Sequence, residues 1–172
     1  MVRSDDRRRR SKSTMENASA LSDHRRLAID FNRRVWELFD NKARSPADAD
    51  EMVVAAYASL AHWMKAGTGV SAQRGEWLIA RVYVELGRLE PARHHLDRTL
   101  ALTERHRNDL ADFDLAFAEA LAARVAALAG DKAAAKRHLA KARDLGDGIA
   151  DPGDRSAFFE QLREKPWFGV DL

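Results

Sequence analysis

Residues 81–102 and 124–145 superpose without a gap at an offset of 43. The first segment reads RVYVELGRLEPARHHLDRTLAL and the second RVAALAGDKAAAKRHLAKARDL, with seven of 22 positions identical. Arg81/Arg124, Gly87/Gly130, Ala92/Ala135, His95/His138 and Leu96/Leu139 are among the matches. A chain that repeats at this interval is committed to a serial architecture, because each unit leaves a face that only its neighbour can cover. The same offset taken backwards from Gly87 reaches Arg44, with Ala49, Val53 and Ala56 in matching small or apolar slots. Three units of equal length follow.

The period within each unit is helical. From about Leu21 onward apolar residues recur near every 3.6 positions, and no strand-like alternation appears. Leu27, Phe31, Val35, Leu38 and Phe39 give the first stripe, running to about Ala43. Ser45-Pro46 then restarts a helix, as an N-cap followed by a proline at the first helical position. Further helices are expected from Ser71 to Gly87, Leu89 to Glu104, Leu110 to Ala129 and Asp131 to Leu145, with a break at Gly146-Asp147-Gly148. A short seventh begins at Asp151-Pro152 and ends before Pro166. The fold expected is all-α, of about seven helices: a right-handed α-solenoid of about three helix-turn-helix units with a capping helix from about residue 151. The aromatic end Phe158, Phe159, Pro166-Trp167-Phe168 reads as a cap folding back on the last unit, the alternative being a patch that forms a homodimer or docks a partner.

Ala80, Tyr83, Gly87, Leu89, Ala92, Leu96 and Leu100 fall on the spacing of the tetratricopeptide signature, and Ala123, Gly130, Ala135, Leu139 and Ala142 repeat it more weakly. The chain therefore resembles a tetratricopeptide-repeat protein, with a period of 43 in place of about 34 and correspondingly longer helices. The stretch His62-Trp63, Arg74-Gly75-Glu76-Trp77, Arg81-Val82-Tyr83, Leu86-Gly87-Arg88 and Asp112 to Phe117 is similar to a family of uncharacterised bacterial proteins. That resemblance implies a fold and supplies no reaction.

Composition narrows the chemistry. With no cysteine there is no disulfide framework, zinc–thiolate site, iron–sulfur cluster or cysteine nucleophile. No apolar run approaches the ~20 residues of a membrane helix, and a cytoplasmic location is expected. Residues 1–14 carry a net +4, including Arg7–Arg10, while the rest of the chain is net −2. Residues 1–20 are thus expected to be a disordered basic tail ahead of a helical domain over 21–172, and nucleic acid is a partner only through that tail. The six histidines form no HExxH, and adjacent His94 and His95 point about 100° apart on a helix, so no metal or other cofactor is expected. No GxSxG elbow or phosphate loop is present, and nothing in the sequence argues for an enzyme.

The family geometry implies that the first helix of each unit lines a concave groove. That would bring together Phe31, Arg34 and Leu38, then Arg74, Trp77, Arg81 and Glu85, then Phe117, Ala120 and Arg124. Spacing within the third helix supports this independently, since 74, 77, 81 and 85 share one face. Arginine forks beside aromatic rings suit an acidic peptide or protein partner, so an adaptor or scaffold role is expected. The alternative is a small-molecule sensor with a pocket for an anionic ligand around His62, Arg74 and Trp77, with Trp63 and Glu76 beside them. Asp112 and Asp114, at the start of the fifth helix, read as capping carboxylates or as partners of Arg74 or Arg81.

Overall fold

The computed structural model describes the backbone of residues 2–171 and the side chains of residues 17–171. Seven helices follow one another: α1 (Val2–Asp40), α2 (Pro46–Ala66), α3 (Gly69–Glu85), α4 (Leu89–Arg105), α5 (Asp112–Leu128), α6 (Lys132–Asp147) and α7 (Pro152–Arg163). The described residues contain no strand. Side chains of the expected basic tail, including Arg7–Arg10, lie outside the described residues up to position 16, while residues 17–20 belong to α1 and are exposed. No helix among the described residues is long and apolar enough to cross a membrane.

The starts and stops have local causes. Ser45 and Asp48 form a reciprocal capping box, Ser45 Oγ accepting from the Asp48 N–H at 3.1 Å while Asp48 Oδ2 accepts from the Ser45 N–H at 2.9 Å. Pro46 occupies the first helical position behind it. Asp131 and Asp151 cap α6 and α7 one way, their carboxylates accepting from the N–H of Ala134 and from those of Gly153 and Asp154. α3 and α5 end in identical Schellman turns. The Arg88 N–H reaches the Tyr83 carbonyl and the Asp131 N–H reaches that of Ala126, across Gly87 at φ +66° and Gly130 at φ +79°. These two glycines are the residues that set the register of the repeat.

α1 packs on α2, α3 on α4 and α5 on α6; α2 against α3 and α4 against α5 link the pairs, and α7 lies on α5 and α6. The outer helices α4 and α6 bury single stripes that coincide under the same offset. Ala92, Leu96, Thr99 and Thr103 on α4 correspond to Ala135, Leu139, Ala142 and Gly146 on α6. The inner helices α3 and α5 are buried on nearly every side, and α5 meets its neighbours largely through alanine, including Ala116, Ala120 and Ala123. α3 also touches α5 directly.

Two boundaries differ from the sequence expectation: α1 begins at Val2, where the first helix was expected from about Leu21, and α6 runs past its expected end. α6 continues through Gly146 to Asp147, where a break after Leu145 was expected. Gly146 serves close approach here, since a Cβ at that position would lie 2.3 Å from the Phe158 ring of α7. The aromatic C-terminal end folds back: Phe158 and Trp167 are buried, and the Trp167 indole donates to the Leu162 carbonyl at 3.1 Å.

A Cβ at Gly87 or Gly130 meets no atom within 4 Å, so alanine there costs backbone energy alone. Gly87→Ala and Gly130→Ala are each expected to lower unfolding free energy by about 1 kcal/mol, with asparagine costing less. Urea unfolding followed by circular dichroism measures this, and an unchanged midpoint for either variant contradicts the shared register.

Candidate ligand-binding site

The face of α3 bearing Arg74, Trp77, Arg81 and Glu85 is divided among three neighbours and does not open as one continuous groove. Arg74 forks onto Asp114 of α5 through Nε and Nη2, both at 2.8 Å, and lies over the Phe113 ring at 5.0 Å. Its guanidinium is half exposed while the Asp114 carboxylate is 4% exposed. That carboxylate also accepts from the Ala111 N–H at the start of α5, so it caps the helix and binds the arginine at once. Its neighbour Asp112 accepts from the Phe113 N–H and, with its other oxygen, from that of Ala150.

Arg81 is 3% exposed and stacks on Phe39 of α1 at 4.4 Å. Its Nη1 reaches Glu85 at 3.4 Å, and Glu85 is also bound by Arg44 at 2.5 Å. Arg124 is buried as well. It donates to the carbonyls of Gln161, Leu162, Glu164 and Pro166 at 2.7–3.4 Å and stacks on Trp167 at 4.2 Å. Two of these carbonyls, Gln161 and Leu162, belong to the last turn of α7, and the other two to the segment that follows it. Burial, and then the nearby Arg81 cation, lower its proton affinity below that of a free guanidinium. Arg34 remains at the surface but forks onto Glu51 at 2.7 and 2.9 Å and reaches Glu37 at 3.3 Å, contacts that raise its pKa. All four arginines expected along a groove are thus engaged within the chain.

His62 is not beside Arg74 and Trp77. It stacks on Phe31 of α1, and its Nδ1 lies 2.7 Å from Nδ1 of His24. The pocket expected around all three residues is therefore corrected to one without His62.

Arg74, Trp77 and Phe117 do come together. With Trp36 of α1 and Phe113 they line a cavity of about 180 Å³ among α1, α3 and α5, with Gln161 of α7 at one side. Trp36 and Trp77 lie 6.3 Å apart and tilted by 34°, and the Phe117 ring meets Trp77 edge-on at 5.5 Å. The Trp77 indole N–H is fixed to the Phe117 carbonyl at 3.0 Å, which locks that wall. Gln73 also lines the cavity and is 1% exposed. Its Nε2 donates to Thr103 Oγ1 at 3.0 Å, while its Oε1 is buried without any hydrogen-bond partner. A buried amide oxygen left unpaired costs about 1–3 kcal/mol, and a ligand carrying a donor removes that cost. The Arg74–Asp114 pair adds no net charge, so the wall is aromatic and close to neutral. Sequence reasoning overlooked Trp36 and Gln73. The available signals were the Asn32–Trp36 pair at i,i+4 and the placing of Gln73 one turn before Trp77, also at i,i+4.

The repeat reappears as a charged clamp. Glu76 accepts from His95 Nδ1 and Arg98 Nε, both at 2.6 Å, joining α3 to α4. Glu119 accepts from His138 Nδ1 at 2.8 Å and Lys141 at 2.6 Å, joining α5 to α6. All three positions are shifted by 43. In the first clamp His95 Nε2 also meets the Tyr57 hydroxyl at 2.7 Å, giving the connectivity of a carboxylate–imidazole–hydroxyl relay. Burial and the hydrogen bond with Tyr83 raise the Tyr57 pKa, so the hydroxyl stays protonated. In the next unit the position equivalent to Tyr57 is Leu100, and the clamp forms without any hydroxyl. Both clamps hold helices together.

Burial pushes the carboxyls of Glu76 and Glu119 up, but the hydrogen bonds from their histidine and cationic partners outweigh it and hold both below the usual value. Their contribution to stability is therefore present above the ordinary carboxylate pKa and lost as pH falls through the lowered folded values. Glu76→Gln is expected to reduce stability near neutrality and to flatten its decline in acid, measured by urea unfolding between about pH 7 and about pH 3. An unaltered slope contradicts the clamp. No protein-family model, curated protein or solved structure matches this chain.

Proposed function

We propose that this chain is a non-enzymatic binding protein, and that its ligand is a small, flat aromatic molecule bearing an N–H or O–H donor. The observation that carries the reading is a cavity walled by Trp36, Trp77, Phe113 and Phe117, with Gln73, whose buried Oε1 has no partner, in its lining. An apolar concavity with a few placed polar groups is the usual form of a small-molecule site. The volume is adequate, since a cavity of about 150 Å³ lined by apolar side chains takes up benzene. An anionic ligand has less support, because Asp114 already neutralises Arg74. An acidic peptide along an arginine groove has less support, because Arg34 and Arg81 already meet carboxylates and Arg124 is occupied by backbone carbonyls. A tetratricopeptide-like arrangement of three helix pairs is the framework we assign to the site, on the two Schellman turns and the matched stripes of α4 and α6.

Indole, N-methylindole and toluene separate the contributions of ring and donor. Indole is expected to shift the Trp36 and Trp77 side-chain N–H signals in a proton–nitrogen NMR titration. N-methylindole should bind about tenfold more weakly, corresponding to one hydrogen bond to a buried acceptor. Gln73→Leu is expected to abolish that preference while retaining toluene binding. If indole leaves both tryptophan signals unmoved at millimolar concentration, the reading fails.

A further inference from the structure

The outer helices α2, α4 and α6 keep the 43-residue register, yet their solvent faces differ in character. Along the outward side of α2, positions 50, 54, 57, 61 and 64 recur at steps of four and three, the spacing of a coiled-coil seam. They are Asp50, Val54, Tyr57, Ala61 and Met64, and all are exposed, Val54 to 66% and Met64 to 70%. The positions matching 54, 57 and 61 are Asp97, Leu100 and Glu104 on α4, and Ala140, Arg143 and Asp147 on α6. Where the later units turn charge to solvent, α2 turns an apolar stripe.

The stripe is complementary to itself. A second α2 laid antiparallel about a two-fold axis level with position 59 sets Val54 opposite Met64 of the partner subunit. Tyr57 then meets Ala61 of the partner subunit, and the small side chain makes room for the ring. The charges agree with this direction. Asp50 and Glu51 stand at the start of α2 and the exposed Lys65 at its end, so antiparallel pairing joins opposite charges at both ends, whereas parallel pairing opposes like charges. Glu51 is shared with Arg34, but Asp50 is 74% exposed and its contact with Arg88 is long, at 3.6 Å. The central ring is already held in place. The Tyr57 hydroxyl meets His95 at 2.7 Å and the ring lies edge-on to Tyr83 at 6.4 Å, so docking has little left to order there.

We propose that the outward face of α2 is a docking surface for a second copy of this chain, the two helices pairing antiparallel through Val54, Tyr57, Ala61 and Met64. One pair of helices makes a small interface, so the dimer is reversible, with a dissociation constant on the order of 0.1 mM. α2 contributes no residue to the aromatic cavity, so the indole titration and the test below succeed or fail independently.

Sedimentation equilibrium of the full chain, from micromolar to millimolar concentration, is expected to show a monomer–dimer equilibrium. Met64→Glu should weaken it by more than about tenfold while the circular dichroism spectrum stays that of the wild type. Should Met64→Glu lose helix content, Val54→Glu gives the same reading from the other end of the stripe. At low salt Lys65→Glu and Asp50→Lys should each weaken the dimer severalfold. An equimolar mixture of those two variants should recover association, because the mixed pair again joins opposite charges at both ends. A chain that stays monomeric at millimolar concentration, or a mixture no better than its components, overturns the proposal. So does a dimer indifferent to Met64→Glu, which would move the contact to another exposed face, such as that of Leu21 and Ile29 on α1.

Discussion

The closing end of the molecule rests on one guanidinium. Arg124 is planar, cationic and rich in donors, and a helix C-terminus is a set of carbonyls lacking partners. Placing the first against the second turns two desolvation costs into four hydrogen bonds and a stacking contact with Trp167. Because α7 is held there, Phe158 reaches the glycine surface of α6 and Gln161 reaches the aromatic cavity. An arginine placed by the repeat thus decides where a helix outside the repeat must lie. Close by, across Glu85 and Arg81, Arg44 does similar work at the end of α1, donating to the carbonyls of Leu38, Phe39 and Asn41 at 2.6–3.2 Å.

Much of this architecture is legible in the sequence because its causes are local. A glycine after a helical run, a serine before a proline and an aspartate at a helix start each act within a few residues. They mark seven helices, with boundaries close to those observed except at the start of α1 and the end of α6. Gly146 was misread because the same residue type ends helices and permits close approach, and only the position of Phe158 separates the two. The identity of His95 and His138 pointed to a shared role, yet their partners Glu76 and Glu119 lay just outside the compared segments.

The site was less legible, since helical spacing shows which residues share a face and leaves open what covers it. Arg74 and Arg81 stand one above the other on α3, seven residues apart. The first emerges beside Phe113, while the second is closed in by α1 and α7. Four arginines in register read as a surface meant for acids, but each meets its acids or carbonyls within the chain. His62 was drawn toward Trp77 by proximity in sequence. In space it belongs to the α1–α2 seam with His24.

The inner and outer helices carry very different burdens. α3 and α5 bury both polar and apolar positions around most of their circumference, and a single residue such as Trp77 belongs to a wall, a hydrogen bond and an aromatic cluster at once. α4 and α6 commit one stripe and leave the remainder to solvent. Drift within a lineage is therefore channelled. The outer helices can exchange most of their surface while the inner pair stays nearly fixed, so descendants of this chain would diverge first in how they look from outside and last in what they enclose.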